Sequence, residues 1–177
     1  MVELFEQDER QNNRQSSKGN QLKWENNGIW YKADYTGYEG LAEYMISHLL
    51  MKSSLRQDEF VLYEPEQVKY KASVYSGVMS NNFLREGWQL ITLERLFKTF
   101  FGQSLYQSVF KIQEPEKRLT FLVEQVERVT KLPDFGAYMN KLFTIDAFFL
   151  NEDRHTHNIA IMMNGDGEFA YSPIFDN

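Results

Sequence analysis

A chain of 177 residues, 42% hydrophobic and 25% charged, has ordinary globular composition, which excludes wholesale disorder. Its net charge of -6, without any block of Lys and Arg, argues against a nucleic-acid backbone as partner, and the lack of Cys excludes a disulfide framework or a thiolate zinc site. The acidic start Met1–Arg10 carries no apolar leader, and the most apolar stretch, Leu142–Leu150, is broken by Asp146 and too short to span a bilayer, so the expected setting is the cytoplasm, without a membrane.

Residues 6–20 are polar and predict a mobile arm or loop. Gly28–Ala33, rich in β-forming residues, predicts a strand with Trp30 and Lys32 on one face and Ile29, Tyr31 and Ala33 on the other. Leu41, Tyr44, Met45, His48 and Leu49 recur at helical spacing and predict a helix over Tyr38–Lys52. Val61–Tyr63 reads as a short strand. Val68, Tyr70, Ala72 and Val74 alternate with Lys69, Lys71 and Ser73 as one half-buried strand would. Thr92 is placed to cap a helix over Leu93–Phe101 that ends at Gly102. Pro115 opens another carrying Leu119, Leu122, Val123, Val126 and Val129. A third starts at Pro133-Asp134, with Tyr138, Leu142, Ile145, Phe148 and Phe149 on its apolar side. Ile159–Met163 and Glu168–Tyr171 flank the turn Asn164–Gly167 as a hairpin. The fold class expected is α+β, a β-rich first half followed by a helical half.

The segment with chemistry in it is Asp153-Arg154-His155-Thr156-His157-Asn158, followed by the hairpin and Asp176. A hairpin that sets Met163 opposite Glu168 sets Asn158 opposite Pro173 and brings Asp176 beside it, with Asp153 in the loop leading into the same strand. Phosphoryl transfer needs a carboxylate to position the attacking hydroxyl and hard oxygen ligands to hold Mg²⁺ on the phosphates. Asp153 suits the first role, and Asn158 and Asp176 the second. Taken singly, Asp153 and Asn158 would also serve as turn and strand caps, and Arg154 would bond backbone or a carboxylate near the loop. His155 and His157 have a spacing that zinc hydrolases use, but the third histidine, His48, is distant. Asn164–Glu168 resembles a fragment of a calcium loop, yet Phe169 stands where that loop needs Gly. Lys32 could present its ammonium to a nucleotide or be a surface lysine. Glu39 and Glu43, one helical turn apart, could each reach it.

With the helix before it and Ser172-Pro173-Ile174-Phe175-Asp176 after it, the segment Leu150–Asn158 resembles the HipA-like kinases, including the CtkA-type Ser/Thr kinases. The resemblance implies a protein-kinase-like two-lobed fold, ATP and Mg²⁺ as cofactors, and a protein substrate. Ser16–Lys23 resembles that family's phosphate-loop region, so Ser17, Lys18, Gly19 and Asn20 are expected at the nucleotide. Lys32 matches the family's nucleotide lysine, the helix with Glu43 its glutamate partner, and Val68–Ser76 the strand that leads to the hinge. The implied division is a polar arm over 1–15, an upper lobe over 16–78 and a partial lower lobe over 79–177. The family continues with further helices, so a truncated lower lobe is expected, with an antitoxin-like protein or the absent part of that lobe as a further partner. Neither a G-x-G-x-x-G nor a Walker loop is present. Phosphatidylinositol kinases also carry D-R-H-x-x-N, and a non-catalytic nucleotide-binding module is a third reading. The acidic charge weighs against a lipid surface.

Overall fold

The structure is a computed structural model and describes residues 1–10, 21–34, 37–152 and 154–176. They form two compact units, Met1–Phe83 with Phe175 and Asp176, and Leu84–Ile174.

The first unit is a five-stranded sheet with one helix. Its strands are β1 (Val2–Leu4), β2 (Lys23–Asn26), β3 (Ile29–Ala33), β4 (Glu64–Tyr70) and β5 (Ser73–Asn81), in the order β1-β4-β5-β3-β2, and its helix is α1 (Glu39–Leu50). Asn27-Gly28 closes the β2–β3 hairpin with φ of 51° and 77°, the left-handed pair that a two-residue turn of this hand requires. One face of the sheet buries Leu4, Trp24, Tyr31, Ala33, Val68 and Tyr70, with Trp24 edge-on to Tyr70 at 5.2 Å. The other face carries α1 and a cluster of Val61, Tyr63 and Val78, against which Tyr44, Phe83 and Phe175 pack. The alternation expected of β3 is therefore present, and it puts Lys32 on the α1 side.

Three expectations for this unit are corrected. The polar amino terminus is no loose arm over residues 1–10: β1 pairs in parallel with β4, and Glu9 bridges to Trp24. Its polar residues are used by the sheet edge, since Asp8 accepts from Phe5 N and Asn26 Nδ2, and Glu9 accepts from the Tyr70 hydroxyl. Residues 11–15 of the expected arm lie outside the described residues. Val61–Tyr63 is not a strand but a buried link into β4. The run from Val68 to Ser76 is two strands, because Lys71, at φ 55°, turns the chain so that Tyr70 pairs with Ser73. That turn moves Val74 to the opposite face, where it is exposed.

The second unit has a three-stranded antiparallel sheet, β6 (Trp88–Thr92), β7 (Ala160–Asn164) and β8 (Phe169–Tyr171), in the order β6-β7-β8. Its helices are α2 (Leu93–Phe101), α3 (Leu105–Phe110), α4 (Pro115–Thr130) and α5 (Phe135–Phe149). Thr92 caps α2 by accepting from Arg95 N, and Gly102 ends it at φ 66°. Leu93, Leu96, Phe97, Val126, Phe135, Met139 and Leu142 are all buried. β6 shows no alternation and runs straight into α2, so neither it nor the six-residue α3 was legible as a separate element. Phe148 is exposed, not core: the period of 3.6 residues carries it round to the face opposite Phe135, Met139 and Leu142. The β7–β8 register differs by one residue from expectation. Met163 pairs with Phe169, because Asn164 folds its side chain over the turn, accepting from Asp166 N and Glu168 N, and leaves Gly165–Gly167 as a three-residue loop.

Phe135, Tyr138 and Tyr171 stack in this unit, and the Tyr171 hydroxyl donates to Pro133 O. Burial, with Glu127 and Asp134 nearby, pushes the Tyr171 phenol up to about 12. A raised acid favours the fold fully below its unfolded pKa of about 10, and the contribution fades as pH climbs towards the folded value. Urea midpoints are therefore expected to fall between about pH 10 and pH 12, and less steeply in Tyr171→Phe; equal slopes would refute this. Among the described residues no helix is long and apolar enough to cross a membrane.

Candidate active site

The residues singled out in the first half of the sequence meet around one ammonium. Lys32, on the α1 face of β3, donates to Glu43 Oε1 at 2.6 Å, to the Tyr63 hydroxyl at 3.2 Å and to Asp176 Oδ1. Its Nζ also lies 4.7 Å from the centre of the Tyr63 ring. The side chains of Lys32 and Glu43 are 10% and 9% exposed and that of Asp176 24%, so the cluster is open only at its aspartate. The helix geometry explains the choice between the two glutamates. Glu43 faces the sheet, whereas Glu39 is used at the start of α1, where its carboxylate accepts from Gly37 N and Tyr38 N.

Electrostatics follow from one cation held between two carboxylates. Burial alone would lower the Lys32 pKa, but Asp176, Glu43 and Tyr63 outweigh it and hold the group well above the usual lysine range. Burial and the neighbouring Asp176 push the Glu43 carboxyl up, with Lys32 opposing them. Its Oε2 is buried without a hydrogen-bond partner among the described residues, which fits a carboxyl displaced towards its neutral form. Burial likewise raises the Tyr63 phenol, so this residue is a hydroxyl at any ordinary pH. Tyr63 carries no site signal of its own in the sequence, where it falls in the short strand expected over Val61–Tyr63. Its place is fixed by a backbone bond from its N–H to Ser47 Oγ of α1 at 3.2 Å.

Asp176 reaches Lys32 because Phe175 is anchored beside it. Phe175 joins the cluster of Val61, Tyr63 and Val78 and stacks on Phe83 at 5.9 Å. Asp176 then sits at φ 54°, a left-handed conformation that Asp tolerates better than most residues. Lys23 of β2 lies 4.0 Å from its other oxygen.

The D-R-H-x-x-N segment belongs to the second unit. Asp153 lies outside the described residues, as do Ser17, Lys18, Gly19 and Asn20. Arg154 forms a bidentate pair with Asp146 of α5, both bonds at 2.9 Å, and donates to Asn158 O at 3.2 Å. Asn158 N closes a turn onto His155 O. The loop is also tied to α2. Glu94, buried, accepts from Tyr106 N and the Thr156 hydroxyl, while Glu94 N donates to Thr156 O. Burial works against the Glu94 carboxylate, but Ser104, Tyr106, Lys98 and His157 together hold its pKa below the usual value. The pairing of Asn158 with Pro173 expected from the hairpin is replaced by the shifted register described above. His157 N donates to His155 Nδ1 and His48 pairs with Glu64, and among the described residues no three His, Asp or Glu form a metal cluster.

No known family model matches the chain, and no curated protein matches it in sequence. Among solved structures the chain is similar to the crystal structure of CtkA, a proinflammatory kinase of Helicobacter pylori, with a TM-score of 0.55 and 17% sequence identity. The fold is protein-kinase-like. The match covers 94% of this chain and 57% of CtkA, so the chain spans a little over half of the kinase it resembles. Both the β-rich first half and the helical second half therefore fall within a kinase-like α+β fold, as the sequence suggested.

Proposed function

We propose that this chain is an ATP- and Mg²⁺-dependent phosphotransferase of the HipA-like Ser/Thr protein kinase type. The observation that carries the reading is the Lys32–Glu43–Asp176 cluster, in which the Lys32–Glu43 pair meets an aspartate 144 residues from Lys32 in the chain. The donor set fits the cofactors. A buried ammonium oriented by a glutamate suits a phosphate oxygen, and a partly exposed aspartate supplies the hard carboxylate oxygens that Mg²⁺ takes. Mg²⁺ would be held by Asp176 and Asn158, and would neutralise charge developing on the transferred phosphoryl group.

The protein's own residues do the rest of the work. Glu43 and Tyr63 hold the Lys32 ammonium at one place on the sheet, so that it meets a phosphate without reorganising. Asp153 accepts the hydrogen bond of the acceptor hydroxyl and orients it for attack. Ser17–Asn20 cover the phosphates by the family resemblance. The acceptor is a protein hydroxyl, and an antitoxin-like protein or the remainder of the lower lobe is the further partner. No nucleic acid is engaged directly, and the setting is cytoplasmic.

Two measurements test the reading. Millimolar ATP with Mg²⁺ is expected to raise the thermal midpoint, because ligand binding to the folded state adds stability by mass action. ATP hydrolysis and self-phosphorylation are expected in wild type and to fall by roughly 100-fold or more in Asp153→Asn, which keeps shape but loses the charge. The absence of both a thermal shift and any difference between wild type and Asp153→Asn would sink the phosphotransferase and leave a non-catalytic module. Transfer to lipid vesicles but not to protein would place the chain with the lipid kinases.

A further inference from the structure

Asp146 is the one acid in the apolar stretch Leu142–Leu150, and it is buried at 7% exposure in the last turn of α5. The last turn of a helix has free carbonyls and no free N–H to offer a carboxylate, so Asp146 takes its donors from the loop that follows. Oδ1 accepts from Asn151 Nδ2 at 3.0 Å and from Arg154 Nη2 at 2.9 Å, and Oδ2 accepts from Arg154 Nε at 2.9 Å. The Asp146 carbonyl takes Asn151 N at 2.8 Å, beyond the left-handed Leu150 that ends the helix. Arg154, 5% exposed in its side chain, carries the connection on to Asn158 O. One carboxylate thus fixes both Asn151 and Arg154 and, through the guanidinium, the backbone of Asn158.

Stability alone does not account for this arrangement. A buried ion pair is on average no better for folding than an apolar pair of the same volume, because both charges lose their water. What a bidentate carboxylate–guanidinium fork does supply is direction, two parallel hydrogen bonds that admit one relative orientation. We propose that Asp146 is the positioning residue for the loop that carries Asn151, Arg154 and Asn158, acting through Arg154, an inference that rests on the phosphotransferase reading. Asp146 touches no reacting atom. It sets the backbone on either side of the acid–base residue Asp153 and under the metal residue Asn158, and small displacements of such groups are costly to rate and cheap to binding.

The test uses the full chain with Asp146→Asn, Arg154→Lys and the double variant Asp146→Asn/Arg154→Gln. Self-phosphorylation is expected to lose roughly 100-fold in kcat in each, with the KM for ATP within about two-fold of wild type and the ATP-induced thermal shift retained. A merely structural pair would move thermal stability and leave kcat of the folded protein alone. Where Asp146→Asn leaves Arg154 buried and uncompensated, the double variant removes that charge, so recovered stability with kcat still low supports the proposal. Hydrogen exchange of the Asn151 and 155–158 amides, about 10-fold faster in Arg154→Lys than in wild type, reads the clamp without activity. Unchanged exchange, or kcat within about two-fold of wild type in a folded variant, overturns it. An inactive wild type overturns the phosphotransferase reading and with it the role in catalysis, while the exchange rates still decide whether Asp146 holds the loop.

Discussion

Lys32→Met is expected to lower both stability and nucleotide response more than any other single side-chain change in the first unit. Among the described residues the ammonium is the only cation within hydrogen-bond reach of Glu43, and one Glu43 oxygen already lacks a partner there. Breaking a buried pair by removing one member costs about 3–5 kcal/mol, because the remaining charge is left without water or counter-ion. The low end, about 3 kcal/mol, applies here: Glu43 can take up a proton, and Asp176 keeps a quarter of its side chain exposed. The pH dependence has a definite sign. Without Lys32 only the weaker influence of Lys23 opposes burial, so the folded pKa of Glu43 rises further above its unfolded value near 4.5. A carboxyl raised in the fold costs stability at pH above that folded value and regains it as pH falls. The deficit of Lys32→Met relative to wild type, read from urea denaturation, is therefore expected to shrink between about pH 7 and pH 5. Lys32→Met/Glu43→Leu is expected to recover most of the lost stability by replacing the pair with apolar contacts. Neither variant is expected to retain the ATP-induced thermal shift, and phosphotransfer should fall at least about 100-fold in both. A double variant that recovers stability together with activity would show that the ammonium serves packing and not phosphate.

How much of this was legible in the sequence depends on the range of the interaction. Signals confined to neighbours in the chain held well. Thr92 and Gly102 bound α2 as a capping hydroxyl and a left-handed terminator should, and the alternation over Ile29–Ala33 put Lys32 on the face opposite Tyr31. The Lys32–Glu43 pair was within reach because a strand face and a helical turn restrict the partners to Glu39 and Glu43. Register was harder. The β7–β8 turn depends on which atoms Asn164 bonds, and one side-chain hydrogen bond shifts every pair along the strand. Tyr63 and Asp146 were not assigned to any site because their roles come from tertiary neighbours. Asp146 did leave a trace, as a lone acid in an apolar helix, and a buried acid of that kind calls for a partner. Nothing comparable marks Tyr63, whose hydroxyl is brought to Lys32 by a chain segment with no regular secondary structure.

Gly77→Ala is expected to damage the same cluster without touching a charged group. Gly77 pairs with Ala33 across β3 and β5, one residue from the pair that holds Lys32 against Val78. A Cβ at Gly77 would stand 1.9 Å from the Lys32 carbonyl oxygen and 3.0 Å from Ala33 Cα, and both are backbone atoms that no rotamer change can move. Two effects compete. Ala in place of Gly reduces the entropy of the unfolded chain and by that route favours folding by about 0.4–1 kcal/mol. The clash acts the other way: the two central strands must separate, and overpacking costs typically 1–3 kcal/mol even where side chains can adjust. With backbone on both sides the upper end applies, so a net loss of about 2 kcal/mol remains. In thermal terms that is a fall of roughly 4–8 °C, at 2–4 °C per kcal/mol for a chain of this size. Gly165→Ala is the control. Its added Cβ meets nothing within 4 Å, and the same measurement is expected to move by no more than about 0.5 kcal/mol. Because the displaced carbonyl is that of Lys32 itself, Gly77→Ala should also weaken the ATP-induced thermal shift, which Gly165→Ala should leave intact. A Gly77→Ala midpoint at or above wild type would mean that β3 and β5 can part along Gly77 at no cost, and the ladder could then not be what fixes Lys32 in place.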